Sequence, residues 1–500
     1  MRPEKGDTIQ SLVGCGGSHS FSQVQYVDSH AQLVNHLNHH EETHAQHHTV
    51  PTSKRLLSAQ QQIASGATSQ SGQCQWDTVE PSLHAQNTVN PIRRIVDVMN
   101  IEPNPEKALL KLHIGDPTIT GILPTHPNVL RSVADIVQGG KYNGYGPAIG
   151  FPEVRKALAK HLSNYAQEPG MTSNLDPEDI ILTSGCSHAL QLAIEALGGP
   201  GKNILVPRPG FPLYVTLMRP HGIQDRHYDL LMDRDWEADL HHMESLIDER
   251  TAAIVVNNPN NPTGAVYSKQ HLQQILRLAE MHRVPIIADE IYGDMTFGGA
   301  TFHPMHTLKP KVPMLTCDGI SKRYLVPGWR LGWVIIHDVD GSMAKVRMAI
   351  RQLAQKIVGP CALMQGSLPA IVNNTPREFF QKTSKILETN VDLVCRELSN
   401  VPGLTPIRSQ GAMYMMLGLD IRSFPEYDDD ELGLIRALIV EESLYCLPGQ
   451  AFNFPGTLRF VMTHSSEAMS EACSRLKHFC QRHYRRPPAA LLKASDKMKK

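Results

Sequence analysis

The sequence predicts an α/β fold: a mostly parallel sheet with helices on both faces, followed by a smaller α+β region. Three observations predict it. From about residue 180 to 340, short apolar runs alternate with helical stretches, the pattern of βαβ units. Most of these runs lead into a cluster of polar or small residues, where open α/β sheets bind their ligands. After about residue 365 the texture changes to long helices and well-separated strands.

Residues 1–73 stand apart, rich in His, Gln and Ser with no sustained apolar period. Eight of the chain's 25 histidines fall between His19 and His48. Clustered imidazoles suit metal binding or pH sensing, but no Cys/His spacing of a defined site is present. The stretch reads as a disordered polar extension. From Trp76 the chain reads as folded. Pro91 to Met99 predicts a short amphipathic helix opened by proline. Apolar Ile180 to Leu182 is followed by a helix over His188 to Leu197. Strands are expected over Asn203–Val206, stopped by Pro207, over Ala252–Val256, and over Pro285–Ala288. Ser268 to His282 is a helix, and Met314–Thr316 and Trp333–Ile336 are two more strands. Arg377 to Ser399 predicts a long helix, Ala412–Leu417 and Thr457–Val461 strands, and Ser466 to His483 a closing helix. The implied plan is an extension (1–73), an N-terminal arm with part of the small domain (74–130), a large domain (131–365), a small domain (366–485) and a basic tail (486–500).

Composition narrows the function classes. Hydrophobic residues make up 41% and charged residues 19%, enough apolar material for a sizeable core. Lys+Arg is 48 against Asp+Glu 49, a net charge of -1, so no global basic field favours nucleic acid. No apolar run reaches the roughly 18 residues of a membrane span, and no signal peptide is expected. Asp7, Asp28, Glu41 and Glu42 argue against a mitochondrial presequence. Nine cysteines without a CxxC pair fit a reducing, cytoplasmic compartment.

Four polar clusters follow the apolar runs. Thr183-Ser184-Gly185-Cys186-Ser187 puts small residues at a helix N-terminus, where free N–H groups and the helix dipole favour an anion; alone it is also simply a good helix start. Asn257 to Gly264 is a run of turn formers presenting several amides. Asp289-Glu290 puts acids at a strand end, costly unless partnered. Such an acid is an N-cap, one half of an ion pair, or a carboxylate that keeps a heteroaromatic nitrogen protonated. Lys322 is a candidate Schiff-base nucleophile, with Arg330 eight residues on as a phosphate ligand; alone, such a lysine is usually solvated. Jointly the four supply a phosphate cradle, an amide loop, an acid and a lysine, the set that pyridoxal 5′-phosphate chemistry needs.

At this point the sequence resembles the fold-type I pyridoxal-phosphate-dependent aminotransferases, and within them the tyrosine-type branch. The resemblance rests on LHIGDPT (112–118), KYNGYGPAIG (141–150), ILTSGCSHA (181–189), NILVPRPGFPLY (203–214), ADEIYGDM (288–295), KRYLVPGWRLGW (322–333) and SQGAMYMM (409–416), and spans roughly residues 74–485. It implies that Lys322 binds the cofactor covalently and moves the substrate proton. Asp289 pairs with the pyridinium nitrogen, Tyr292 and Asn261 serve the ring oxygen, and Phe211 stacks on the ring. Ser184, Gly185 and Cys186 form the phosphate cradle with Arg330 as charge partner. Arg459 and Asn261 hold the substrate carboxylate, and Gly115 lies in a segment that closes over it. Tyr145 reaches the phosphate of the partner subunit in a homodimer. The implied reaction moves the amino group of an aromatic L-amino acid, tyrosine foremost, to 2-oxoglutarate by a ping-pong mechanism without a metal. A broader-specificity aminotransferase or a carbon–sulfur β-lyase would share these residues. Intact Lys322, Asp289 and Arg459 weigh against a non-catalytic relative. One departure is Gly319, where many relatives carry serine, so one phosphate contact is expected to be missing.

Overall fold

The computed structural model describes residues 78–99, 101–165, 175–427 and 430–486. The expectations for the extension (1–73) and for the tail from residue 487 lie outside the described residues. Helix α1 (Pro91–Val98) is capped by Asn90, whose side chain accepts from the N–H groups of Ile92 and Arg93. Pro91 occupies its first turn, where no N–H is needed. Strand β1 (Leu110–Lys111) follows.

The next strands are β2 (Ile180–Thr183), β3 (Asn203–Arg208), β4 (Gln224–Leu231), β5 (Glu237–Ala238), β6 (Thr251–Asn257), β7 (Ile286–Asp289), β8 (Met314–Gly319) and β9 (Gly332–His337). They form one sheet in the order β2-β9-β8-β7-β6-β3-β4-β5. Its centre is parallel, from β4 through β3, β6 and β7 to β8. Only β9, with its neighbour β2, and the edge strand β5 introduce antiparallel pairings. Helices α2 (Cys186–Leu197) and α3 (Lys269–His282) cover opposite faces. The alternation of side chains along a strand explains how. Val255, Ile287 and Leu315 pack with Ala189, Leu190 and Ala193 of α2, while Ile254, Val256, Ile286 and Ala288 pack with Leu272, Ile275 and Ala279 of α3.

Beyond the sheet lie α4 (Arg377–Leu398), β10 (Leu404–Ile407), β11 (Tyr414–Leu419), β12 (Leu444–Tyr445), β13 (Leu447–Pro448), β14 (Thr457–Val461) and α5 (Ser466–His483). Strands β10-β11-β14-β13 make a four-stranded antiparallel sheet. Strand β12 pairs in parallel with β1, tying the N-terminal arm to this region.

The differences from the sequence reading have local causes. Strand β3 runs through Pro207 because its pairing to β6 ends at Leu205 and only β4 continues beside it, so the missing N–H interrupts a single ladder at most. Strand β4 escaped the sequence reading because its first half is charged. Those charges are paired: Arg219 with Asp225, His227 with Asp225, and Arg226 with Asp248. Helix α2 starts two residues early because Gly185 takes a left-handed φ of 78° and turns the chain sharply into it.

A buried ion cluster ties the segments that leave β7 and β8. Arg323 Nη2 donates to Asp318 Oδ2 at 2.8 Å, and its Nη1 lies 3.5 Å from Asp294 Oδ2. Arg323→Met would leave Asp318 buried without its cation, so unfolding in denaturant should show a loss of about 3–5 kcal/mol. A loss below about 1 kcal/mol would mean that the cluster does not tie these segments together.

Candidate active site

The carboxyl ends of β6, β7 and β8 open on a cavity of about 520 Å³. Gly115, Cys186, Phe211, Asn261, Asp289, Tyr292, Lys322, Arg330 and Arg459 all line it. A larger cleft, about 980 Å³ around Asp294, Arg323 and α4, contains none of these residues.

Asp289 ends β7 with 2% of its surface exposed. Burial pushes its carboxyl up to about 6, and three donors limit the rise. Tyr214 donates its hydroxyl to Oδ2 at 2.6 Å, and the Cys186 thiol (3.7 Å) and the Ile291 N–H (3.4 Å) donate to Oδ1. The amide loop is fastened to the same strand end. Asn257 Nδ2 donates to the Asp289 carbonyl at 3.1 Å, and Asn257 Oδ1 accepts from the Asn261 N–H at 2.8 Å. That leaves the Asn261 side-chain oxygen to accept from Arg459 Nη1 at 3.2 Å.

Arg459 lies on β14 with 2% of its surface exposed. Its Nη2 donates to the His113 carbonyl at 2.9 Å. The guanidinium sits 4.4 Å from the Tyr414 ring centre and 4.8 Å from that of Phe452, and its Nε has no hydrogen-bond partner. Among the described residues no carboxylate pairs with it. A buried cation held by carbonyl and amide oxygens and two ring faces is suited to an incoming carboxylate. Lys322, on the turn after β8, donates from Nζ to the Gly115 carbonyl at 2.7 Å.

Arg330 marks the other end. It is exposed, with Nη1 donating to the Pro327 carbonyl at 3.0 Å and Nη2 to the Ser184 carbonyl at 3.3 Å. Gly185 lies against it, and a Cβ there would collide with the guanidinium. No side chain caps α2 at Gly185, so its first N–H groups stay available to an anion. A Cβ on Gly332 would meet the backbone of Gly185, Cys186 and Asp318 at 2.6–2.7 Å, so glycine lets β9 press against this turn. Gly319, facing Gly332 across the ladder, has no room for serine either, because its Cβ would lie 2.7 Å from the Leu331 carbonyl oxygen. Ser321 Oγ instead lies buried at the cavity wall without a partner.

Ser184 contributes only its carbonyl to Arg330 and does not line the cavity. Tyr145 lies outside the cavity lining and is 95% exposed. The sequence reading overlooked Tyr214, Tyr414, His113 and Ser321. Tyr214 stands three residues after Phe211 at the start of a helical turn, a spacing that shares one face. Tyr414 carried no such signal, since it meets the site only through sheet pairing.

Residues 107–476 match the family described as aminotransferase class I and II, and the chain belongs to it. It is a pyridoxal-phosphate-dependent aminotransferase of α/β fold type I. Among individual proteins it is similar to the tyrosine aminotransferase of Mus musculus, 48% identical over 409 residues, which cover 81% of this chain and 88% of that one. The crystal structure of tyrosine aminotransferase from Leishmania infantum matches with a TM-score of 0.79 and 32% identity, covering 82% of this chain and all of that one. An S-alkyl-thiohydroximate lyase of Arabidopsis thaliana is 37% identical over 380 residues, which cover 75% of this chain and 81% of that one.

The residues present fit the cofactor. The Lys322 amine, the Asp289 carboxylate and the Arg330 guanidinium share one cavity, and the unpartnered Ser321 hydroxyl lines it as well. A pH dependence follows. An ionised Asp289 is needed to pair with a pyridinium, and burial puts its titration near 6. The cofactor-stripped protein should therefore bind cofactor more tightly as pH rises from 5 to 7. The gain should be at most about tenfold per unit below the titration point, levelling above it. Asp289→Asn should lose this component while keeping the phosphate's own titration. Parallel pH profiles for the two proteins, read by absorbance titration, would exclude a charge role for Asp289.

Proposed function

We propose that this aminotransferase moves the amino group of an aromatic L-amino acid, L-tyrosine foremost, to 2-oxoglutarate, releasing 4-hydroxyphenylpyruvate and L-glutamate. The single observation that carries this reading is the buried Arg459 guanidinium, without a carboxylate partner, in the same cavity as the Lys322 amine and the Asp289 carboxylate. The names of the similar proteins support tyrosine as donor. So do the apolar side chains of Ile92, Val96, Ile114 and Leu190 along the cavity, which suit an aromatic ring.

Pyridoxal phosphate, when bound, supplies an aldehyde for the amino group and a ring that takes up the electrons of the broken Cα–H bond. The protein's groups do the rest. Arg459 and Asn261 grip the α-carboxylate and so fix the orientation of Cα. Lys322, which also holds the cofactor covalently between turnovers, takes the proton from Cα and redelivers it. Asp289 keeps the ring nitrogen protonated, with Tyr214 and Cys186 holding its carboxylate in place. Tyr292 and Asn261 donate to the ring oxygen, and Phe211 covers the ring face. Arg330, Gly185 and Cys186 take the phosphate, with the Ser184 carbonyl orienting the Arg330 guanidinium. The segment around Gly115 closes over the substrate, excluding water from the proton transfer. The same groups serve the second half-reaction, in which 2-oxoglutarate takes the amino group.

The test is a panel of amino donors against 2-oxoglutarate, pyruvate and oxaloacetate, with cystathionine as a lyase substrate. Tyrosine with 2-oxoglutarate should lead in kcat/KM. Pyruvate release from cystathionine at a comparable rate would favour the lyase reading instead. Lys322→Ala should lose the protein-linked visible absorbance and at least about 10²–10⁴-fold in rate. Normal turnover by this variant would remove Lys322 from the chemistry.

The assembly is a cytoplasmic homodimer with composite sites, Tyr145 serving the partner's phosphate. Its 95% exposure supports this reading, since an aromatic side chain on the surface is available to a second copy. Lys322→Ala damages the site of its own chain and Tyr145→Phe the partner's site. Co-refolded heterodimers of the two should therefore exceed the mean activity of the mutant homodimers, once Tyr145→Phe alone is shown to be impaired. Heterodimers with no such gain would return Tyr145 to a local role.

A further inference from the structure

One side chain outside the recognised motif roles touches three parts of the site. Tyr414 opens β11, antiparallel to β14, in the register that pairs Met416 with Arg459 and Tyr414 with Val461. Tyr414 and Met416 therefore share a sheet face, which sets Tyr414 diagonally across from Arg459. Its ring lies 4.4 Å from the guanidinium carbon. Its hydroxyl lies 2.9 Å from that of Tyr292. On its third side runs the segment whose carbonyl holds Lys322: a Cβ on Gly115 would stand 2.7 Å from the Tyr414 oxygen.

We propose that Tyr414 is a positioning residue, its hydroxyl setting the direction in which Tyr292 donates and its ring setting the plane of Arg459. This rests on the assignment of Tyr292 to the cofactor ring oxygen and of Arg459 to the substrate carboxylate. The argument is one of hydrogen counting. Two phenols 2.9 Å apart share one hydrogen bond, and each carries one O–H. If Tyr292 donates to Tyr414, it has nothing left for the ring oxygen. If Tyr414 donates, the Tyr292 hydrogen is freed for the ring oxygen, and the two bonds polarise each other in series. Burial pushes the Tyr292 phenol well above its ordinary range, so it keeps the proton that it must donate. The ring has a separate task. A guanidinium against an aromatic face loses rotational freedom but keeps its N–H edge, and Arg459 keeps Nε unpartnered on that edge.

The two tasks separate in two variants of the cofactor-loaded enzyme. A donor at the ring oxygen withdraws electron density from the Lys322–cofactor linkage and lowers the pKa of its visible chromophore. Tyr414→Phe keeps the ring and the Tyr292 donor but loses the hydroxyl that polarises it, so that pKa should rise by roughly 0.3–1 unit while KM for tyrosine stays within about twofold of wild type. Tyr414→Leu loses ring and hydroxyl together, so KM should also rise about three- to tenfold. Tyr292→Phe is the reference, expected to raise the chromophore pKa at least as far as Tyr414→Phe. If Tyr292→Phe shifts the chromophore and Tyr414→Phe does not, the hydroxyl role of Tyr414 is overturned. If Tyr414→Leu binds tyrosine with wild-type KM, its ring role is overturned. If Tyr292→Phe itself leaves the chromophore unmoved, the assignment of Tyr292 fails and the proposal fails with it, distinguishably from the first case.

Discussion

A carboxylate buried at the end of a buried strand is the constraint around which the site is organised. Asp289 can be kept there only if donors surround it, because an unsatisfied buried charge is too costly. The donors come from separate elements: Tyr214 from the helical turn after β3, Cys186 from the first turn of α2, and the backbone of Ile291 from its own chain. Asn257, at the end of the neighbouring strand, is fastened to the Asp289 carbonyl. The α2 turn and the β7 end are therefore fixed relative to one another by the requirement to solvate one side chain, and the amide loop is tied in through the backbone carbonyl of the same residue. The glycines at 319 and 332 and at 185 are the steric counterpart, permitting the close approach that this arrangement needs.

The cations of the site are held in a common way. Lys322 donates to the Gly115 carbonyl, Arg459 to the His113 carbonyl and the Asn261 amide, and Arg330 to the carbonyls of Ser184 and Pro327. Neutral oxygens orient these groups without cancelling their charge. The field they project into the cavity therefore remains available to anionic ligands. Elsewhere the protein pairs its buried cations with acids, as with Arg323 and Asp318. The difference between the two modes separates the cations that line the cavity from the structural one next to Lys322.

Much of this was legible in the sequence because parallel strands buried on both faces must be apolar, and their ends must change texture abruptly. That is why β6, β7 and β8, and the polar clusters containing Asn261, Asp289 and Lys322, could be marked. Helix α5 was bounded at Ser466 and His483 by the same contrast. What escaped were features set by pairing at a distance. The charge-rich β4 looks like a strand only once its ion partners are known. Tyr414 joins the site through the register of β11 on β14, and no local pattern announces a register. Ser321 stands next to the more conspicuous lysine, and only the fold shows its hydroxyl buried at the cavity wall without a partner.

The pairing of β1 with β12 has a consequence for biosynthesis. Residues 104–113 are bound almost wholly to the far end of the chain. Lys107 pairs with Glu442 across 335 residues, Arg475 donates to the Ala108 carbonyl, and the backbone of Leu110 and Leu112 bonds to Ser443, Tyr445 and Val461. Translation at about 5–20 residues per second leaves roughly twenty seconds to a minute between the emergence of the two partners from the ribosome. Throughout that interval the backbone of Leu110 and Leu112 lacks these partners, although by its end the parallel sheet that follows already has its strands in hand. The four antiparallel strands come from one continuous stretch of chain, but the parallel pairing of β1 with β12 joins opposite ends of the chain and so closes late in synthesis. The arm that leads to Gly115 is therefore fastened on its N-terminal side only once residues 442–461 have been made.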